Sequence, residues 1–179
     1  MSVVYLKKAN KTPETGTSET RKIVERMLGE IEIGKETIAK KYASDLDGFN
    51  GDIIVSQESI ENASKMVPEK LKDDIKFAHE RIKKFAEAQK QSINEFETEL
   101  SPGLWAGQKL IPIQTAGCYV PGGRYAHVAS AIMSITTARV AGVENIIACS
   151  APKGEDGPNP AILYTICLLY TSDAADDDT

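Results

Sequence analysis

The stretch between residues 110 and 150 places the tightest limit on the fold. LIPIQTAGCYV (110–120) carries little charge and many residues that favour an extended chain, and a Pro-Gly-Gly turn follows at 121–123. HVASAIMSITTARVAGV (127–143) is mostly apolar or small and ends near a glycine, as in a helix packed on a sheet, and NIIAC (145–149) is typical of a buried strand. The order of strand, glycine turn, helix and strand predicts one right-handed parallel unit of an α/β sheet, with 110–120 forming a strand or a hairpin pair.

Much of the chain before this unit is predicted to be helical. Apolar residues recur there at helical spacing, and strong turn chemistry in DGFNG separates two of the segments. Ser56 is a candidate N-cap, and Pro68 suits the first turn of the longest helix. The predicted helices cover residues 18–29, 35–46, 56–67 and 68–90, with a short strand or extended link at 52–56. The predicted fold class is therefore α/β, with an N-terminal helical region over 1–100 and a parallel sheet that begins within 101–166.

Composition and charge exclude several classes of function. No apolar run approaches the roughly 20 residues that a membrane span needs. The net charge is −5, but four of the 26 acidic residues lie in the last seven positions, and the rest of the chain shows no basic stripe for nucleic acid. The N-terminus lacks the order of charged and apolar residues of a secretory signal. We expect a cytoplasmic protein that binds neither nucleic acid nor a membrane.

The three cysteines give no sign of a covalent or metal framework. Cys118, Cys149 and Cys167 are widely spaced, odd in number and without a nearby pair of histidines. This arrangement predicts neither a disulfide framework nor a zinc cluster. The expected state is that of buried free thiols.

Residues 167–179 depart from the pattern before them. PAILYTI (160–166) begins a helix of the α/β region, but the amphipathic pattern stops at Cys167 and CLLYTSDAADDDT follows. The letters CLLYTSDAAD match the conceptual translation of a transposon adapter used to prepare DNA sequencing libraries, and the alternative is a frayed acidic tail. We expect residues 167–179 to be an adapter-derived, non-biological tail and the natural chain to be truncated inside a domain.

Several motifs together resemble the histidinol dehydrogenase family. Three of them occur in order and at compatible spacing: YVPGG (119–123), ARVAG (138–142) and ACSAP (148–152). GKETIAKKYASDLDGF (34–49) is similar to a helix and turn near the N-terminus of that family. The resemblance covers residues 18–166 and implies two incomplete Rossmann-like domains with smaller helical segments. Residues 101–166 would then be the first part of an NAD-binding domain.

The resemblance also implies an activity and a cofactor site. Enzymes of that family are zinc-dependent homodimers that use NAD to oxidise a primary alcohol through an aldehyde to a carboxylate. By this resemblance Tyr119, Gly122 and Gly123 lie at the NAD site. A strand-to-helix turn favours glycine independently of this resemblance, because such a turn needs positive φ. The missing side chain also lets a pyrophosphate approach the backbone N–H groups at the helix N-terminus. However, there is no G-x-G-x-x-G, and Cys149 and Ser150 stand where a ribose-binding acid would be, so the turn motif alone would predict a plain turn.

The chemical groups of the family's reaction are not found in this sequence. The resemblance implies zinc bound by a Q-x-x-H pair and later Asp and His residues, with a Glu-His pair as base. No glutamine here is followed three places on by histidine, and neither histidine follows a glutamate. We therefore assign no catalytic and no metal-binding residue, and expect the zinc ligands beyond the end of the chain. His79 is expected to be a surface or boundary residue.

Two residues after the glycine turn are candidates for substrate binding. Arg124 and His127 lie at the start of the predicted helix, where they could bind an anion, although a solvent-facing cap is the simpler interpretation of His127. VVYLKKANKTPET and GGRYAH resemble the sulfopropanediol 3-dehydrogenase-like branch of the family. The expected reaction is L-histidinol to L-histidine, or 2,3-dihydroxypropane-1-sulfonate to 3-sulfolactate. The alternative is a short non-catalytic module that binds a nucleotide or forms a dimer.

Overall fold

The computed structural model describes residues 18–122 and 125–171. Contacts divide the chain into two compact units, Met1–Leu46 and Asp47–Thr179. The domain boundary predicted at residue 100 separates helical from α/β sequence, and it stays a prediction. The predicted fold class is confirmed, because helices are followed by small sheets that include a parallel strand–helix–strand unit.

The described part of the first unit lies in helix α1, which runs from Ser18 to Asp47 but is interrupted at Lys35. Lys35 has φ 51° and ψ −136°, so two helical segments lie on either side of it, as the sequence predicts. The Tyr42 hydroxyl donates a 2.5 Å hydrogen bond to the Glu30 carboxylate, 12 residues earlier. A straight helix could not make this bond, because 12 residues rise about 18 Å along its axis.

Helices α2 and α3 open the second unit. Helix α2 spans Gln57–Met66, and the Ser59 N–H donates to the Ser56 hydroxyl at 3.2 Å, which confirms the predicted N-cap. Pro68 precedes α3, which spans Glu69–Gln91. Residues 52–56 form the extended link rather than the strand.

A β-hairpin follows α3, earlier in the chain than expected. Strands β1 (Phe96–Ser101) and β2 (Leu104–Gln108) pair antiparallel, and Gly103 between them has φ 81°. The hairpin pair predicted within 110–120 is wrong, because residues 109–114 form no strand. FETEL reads as charge-rich helical sequence, yet its glutamates alternate with Phe, Thr and Leu at the period of a strand.

The predicted parallel unit is present. Strand β3 (Thr115–Val120) leads through the glycine turn to helix α4 (Val128–Ala141) and then to strand β4 (Asn145–Ser150). The strands pair in parallel from Thr115 opposite Asn145 to Val120 opposite Ser150. Gly142 ends α4 with φ 92°, the left-handed cap that the sequence predicts.

The helices cover one face of this two-stranded sheet. Cys118 and Val120 of β3 are buried in a core with residues from three helices: Ile75 of α3; Ala131, Ile132 and Ile135 of α4; and Ile162 and Leu169 from the segment after β4. The outward side chains Tyr119, Ile147 and Cys149 are exposed. The prediction of a fully buried strand at 145–149 is therefore wrong, because alternate residues of β4 point away from the helices.

Helix α5 spans Pro160–Thr171 and continues beyond the point where the amphipathic pattern is predicted to stop. Leu169 is only 1% exposed, and the Tyr170 hydroxyl donates to the Ile146 carbonyl at 2.5 Å. Leu169 lies seven residues after the buried Ile162, which places both on one helix face. The helix therefore includes Cys167 to Thr171, while the adapter origin of residues 167–179 stays a prediction.

Candidate nucleotide-binding turn

The glycine turn lies at the carboxyl end of β3, beside the carboxyl end of β4 and before the N-terminus of α4. This is the edge of a parallel α/β sheet at which ligands are generally bound. Of the predicted site residues, Tyr119, Gly122 and His127 are described there. Gly123 and Arg124 lie outside the described residues.

Gly122 packs closely against the chain that follows β4. A Cβ added at Gly122 would lie 2.8 Å from the Ala151 carbonyl oxygen and 3.2 Å from the Ala151 Cβ. Its φ lies outside the left-handed region, so the positive φ expected from the sequence is not the reason for a glycine at this position. The close approach of the two loops is the reason, and it fixes the turn against the end of β4.

Tyr119 lies one residue before the end of β3, on the outward face of the sheet, and is 63% exposed. Its partner in the parallel register is Cys149, which is also exposed. The expectation of a buried thiol is therefore wrong for Cys149, whereas Cys118 is buried. Tyr119 is accessible to a ligand bound at this edge of the sheet.

His127 is the N-cap residue of α4. Its carbonyl accepts the Ser130 N–H at 3.0 Å, but its exposed side chain makes no capping hydrogen bond. The first turn of α4 also contains no acidic side chain. A helix N-terminus carries a partial positive charge, so this end of α4 is suited to an anionic group.

A long apolar groove continues from Tyr119 along the edge of β3 that β4 does not occupy. The groove has a volume of about 980 Å³, with walls formed by the C-terminal end of α3, residues 110–113, β3 and α4. Small side chains of α4 line it at helical spacing: Ser134, Ala138 and Ala141. This spacing of small residues is the sequence signal for the groove.

The described part of the chain offers no metal centre. Within residues 18–122 and 125–171, no three His, Cys, Asp or Glu side chains come together in a group that could hold a metal ion. The zinc that the family resemblance implies has no set of ligands among these residues. Among the same residues, no helix is long and apolar enough to cross a bilayer.

Comparison with known proteins assigns the chain to a family. The sequence model of the family described as histidinol dehydrogenase matches residues 10–173. A "Histidinol dehydrogenase homolog" of Pelagibacter ubique is 54% identical over 169 residues, which are 94% of this chain and 40% of that protein. A "Sulfopropanediol 3-dehydrogenase" of Ruegeria pomeroyi is 50% identical over 164 residues, covering 92% of this chain and 38% of the relative.

A solved structure supports the same assignment. The crystal structure of histidinol dehydrogenase from Elizabethkingia anophelis superposes with a TM-score of 0.78 at 30% sequence identity, covering 88% of this chain and 36% of that one. The chain thus spans about two-fifths of the length of the curated relatives it matches. The family match, the close relatives and the shared fold agree, and the chain belongs to the histidinol dehydrogenase family.

Proposed function

We propose that the chain is part of an NAD- and zinc-dependent alcohol dehydrogenase that oxidises 2,3-dihydroxypropane-1-sulfonate through an aldehyde to 3-sulfolactate. The observation that supports this substrate is the 50% sequence identity with a sulfopropanediol 3-dehydrogenase. The sequence identity with the histidinol dehydrogenase of Elizabethkingia anophelis is 30%. Oxidation of L-histidinol to L-histidine is the alternative reaction within the family.

In this proposal the glycine turn holds the pyrophosphate of NAD. The uncapped N-terminus of α4 supplies backbone N–H groups and a partial positive charge. Gly122 keeps the turn close to Ala151, and the exposed Tyr119 would border the bound dinucleotide. Gly123, the next residue in the sequence, is proposed as part of the same cofactor site. Bound NAD would supply the hydride acceptor for both oxidations, alcohol to aldehyde and hydrated aldehyde to carboxylate, so two NAD would be reduced per diol.

Arg124 and His127 are proposed to bind the sulfonate. Both belong to the segment between the turn and α4, and the His127 side chain is exposed without a capping bond. Arginine presents paired N–H donors that match the oxygens of an anionic group. The two residues would hold the sulfonate and orient the alcohol end of the substrate toward the cofactor.

We further propose that the complete enzyme is a homodimer. Helix α1 contains no buried residue, and it exposes Ile23, Val24, Leu28 and Ile33. Exposed apolar side chains of this kind favour association with another surface. Sedimentation velocity of the full-length enzyme tests this, and a monomer at micromolar concentration would contradict it.

The substrate proposal is tested with the full-length enzyme, by following NADH formation with the sulfonated diol and with L-histidinol. We expect kcat/KM for the diol to be higher by about 100-fold or more, because the binding site discriminates between an anionic and a cationic substrate. The double variant Arg124→Ala, His127→Ala should lower kcat/KM for the diol by about 10- to 100-fold through lost charge-assisted hydrogen bonds. Unchanged diol turnover in that variant would reject the sulfonate contact.

The control is Arg81→Ala, which removes an arginine from the surface of α3. The Arg81 guanidinium stacks on the Phe77 ring, 3.1 Å from its centroid, and donates to the Phe77 carbonyl at 3.0 Å. Its loss should leave kcat/KM for the diol within about twofold, because Arg81 is an exposed residue of α3 and belongs to neither the glycine turn nor the segment after it. If the unaltered enzyme prefers L-histidinol, L-histidinol replaces the diol as the proposed substrate.

A further inference from the structure

The free edge of β3 forms one wall of the apolar groove. Four consecutive residues of this strand, Ala116 to Tyr119, line the groove. Alternate side chains of a strand point to opposite faces of the sheet, so a wall that contains all four residues is the backbone edge of the strand. Among the described residues, β4 is the one strand paired with β3, and it contributes no residue to the groove. The groove therefore lies beside the edge of β3 that β4 leaves open.

The backbone of this edge is oriented for pairing with another strand. The Asn145 N–H donates to the Gln114 carbonyl at 3.1 Å, which fixes the residues of β3 whose backbone groups face β4. In a parallel pair, alternate residues direct their N–H and C=O groups to opposite edges of the strand. The backbone groups of Cys118 therefore point to β4, and those of Gly117 and Tyr119 point to the groove. An open strand edge of this kind is a template for a further strand.

The side chains around this edge are those of an interior rather than of a surface. Large apolar side chains line the groove and are nevertheless exposed: Ile93, Leu110, Ile111 and Ile113. Ile111 is the most open of them, at 82%. A cluster of exposed apolar side chains marks a surface that another chain segment covers. Sheets most often contain about four to six strands, so the pair of β3 and β4 is expected to have further neighbours.

We propose that a strand from the part of the polypeptide that this chain does not span pairs with the free edge of β3 and fills the apolar groove. The chain covers 40% and 38% of the two relatives compared above, so about three-fifths of the complete polypeptide lies outside it. Strands of a parallel sheet are connected by crossovers within one chain, which favours the same polypeptide over a second copy. The strand would lie there whichever alcohol the enzyme oxidises. With neighbours on both edges, β3 becomes an interior strand, and the glycine turn at its carboxyl end lies where open α/β sheets bind nucleotides.

Amide hydrogen exchange of the unaltered full-length enzyme, resolved to single residues, tests the pairing without any substitution. The Cys118 amide, which points to β4, is the internal control. We expect the Gly117 and Tyr119 amides to be protected about 100-fold or more relative to an unfolded chain, and to within about tenfold of Cys118, because a paired strand edge opens only with the sheet. Lower protection at Gly117 and Tyr119 would show an open edge and overturn the proposal.

Photo-cross-linking of the full-length enzyme identifies the occupant. Leu110 lines the groove, so we place photo-leucine at this position alone, and the control carries photo-leucine at Leu104 of the exposed hairpin. Irradiation should give a product with the mass of one polypeptide, in which residue 110 is joined to a peptide that follows residue 166. The control should not join that peptide. A product with the mass of two polypeptides would assign the groove to a second copy, and addition of water alone would show that it is empty; either result would overturn the proposal.

Discussion

The two strand pairs of this chain differ in what holds them together. Strands β1 and β2 form a hairpin in which every residue is exposed. The strands pair with each other, between residues that are close in sequence. The Gly103 N–H, for example, donates to the Glu99 carboxylate at 2.8 Å. Strands β3 and β4 are joined through α4, and Cys118 and Val120 of β3 are buried under the helices.

The difference follows from strand direction. A hairpin needs only a short turn, so its hydrogen bonds form between residues close in sequence. A parallel pair needs a crossover, and here α4 both connects the strands and buries their inner face. The hairpin is therefore expected to tolerate substitution, whereas the parallel unit depends on a few packed residues.

The largest expected effect is that of Ile132→Ala in α4. Ile132 is 1% exposed in the core against β3, and its truncation should lower the free energy of unfolding by about 2–5 kcal/mol. Met133→Ala is the matched control, because Met133 is the next residue of α4 and is 52% exposed; it should cost less than about 1 kcal/mol. Urea unfolding of the full-length enzyme measures both, and similar losses would contradict the placement of the core.

Gly122→Ala should have the next largest effect. The added methyl would lie 2.8 Å from the Ala151 carbonyl oxygen, so the two loops must move apart, at a cost of about 1–3 kcal/mol. Gly117→Ala, in the preceding strand β3, is the control, since no atom lies within 4 Å of its added Cβ. If the two variants unfold at the same urea concentration, Gly122 is not confined by Ala151.

A smaller loss is expected from Gly103→Ala in the hairpin. An added Cβ would contact nothing within 4 Å, so only the backbone conformation at φ 81° opposes alanine, by about 1–2 kcal/mol. Gly103→Asn should recover part of this loss, because asparagine adopts left-handed conformations more readily. Equal stabilities of the alanine and asparagine variants would show that backbone strain is not the cause.

Leu104→Ala should have the smallest effect. Leu104 is an exposed residue of β2, and its truncation should change the free energy of unfolding by about 0.5 kcal/mol or less. The measurement is again made on the full-length enzyme. A loss above about 1.5 kcal/mol would show that another part of the complete protein covers the hairpin, and would remove the contrast with the parallel unit.

Patterns that depend on neighbouring residues predicted the fold well. The Ser56 cap, the helix after Pro68 and the left-handed end of α4 at Gly142 are all present. The hairpin is not predicted from the sequence, because the glutamates of FETEL favour a helix. Only their alternation with Phe, Thr and Leu indicates a strand. For the candidate site, the strand–turn–helix order predicts that Tyr119 and His127 flank the turn at one edge of the sheet, and their roles stay predictions.

The sequence by itself determined the helices and the parallel strand–helix–strand unit, because capping, turn formation and periodicity act over a few residues. Its motifs YVPGG, ARVAG and ACSAP indicated the family. Only the tertiary structure decided which side chains are buried and which are exposed. The sequence could not show that Gly122 meets Ala151, that Cys149 faces outward, or that Thr136 of α4 and His79 of α3 line one cavity. Each of these depends on segments distant in sequence coming into contact, and such contacts are set by how helices and strands pack rather than by local pattern.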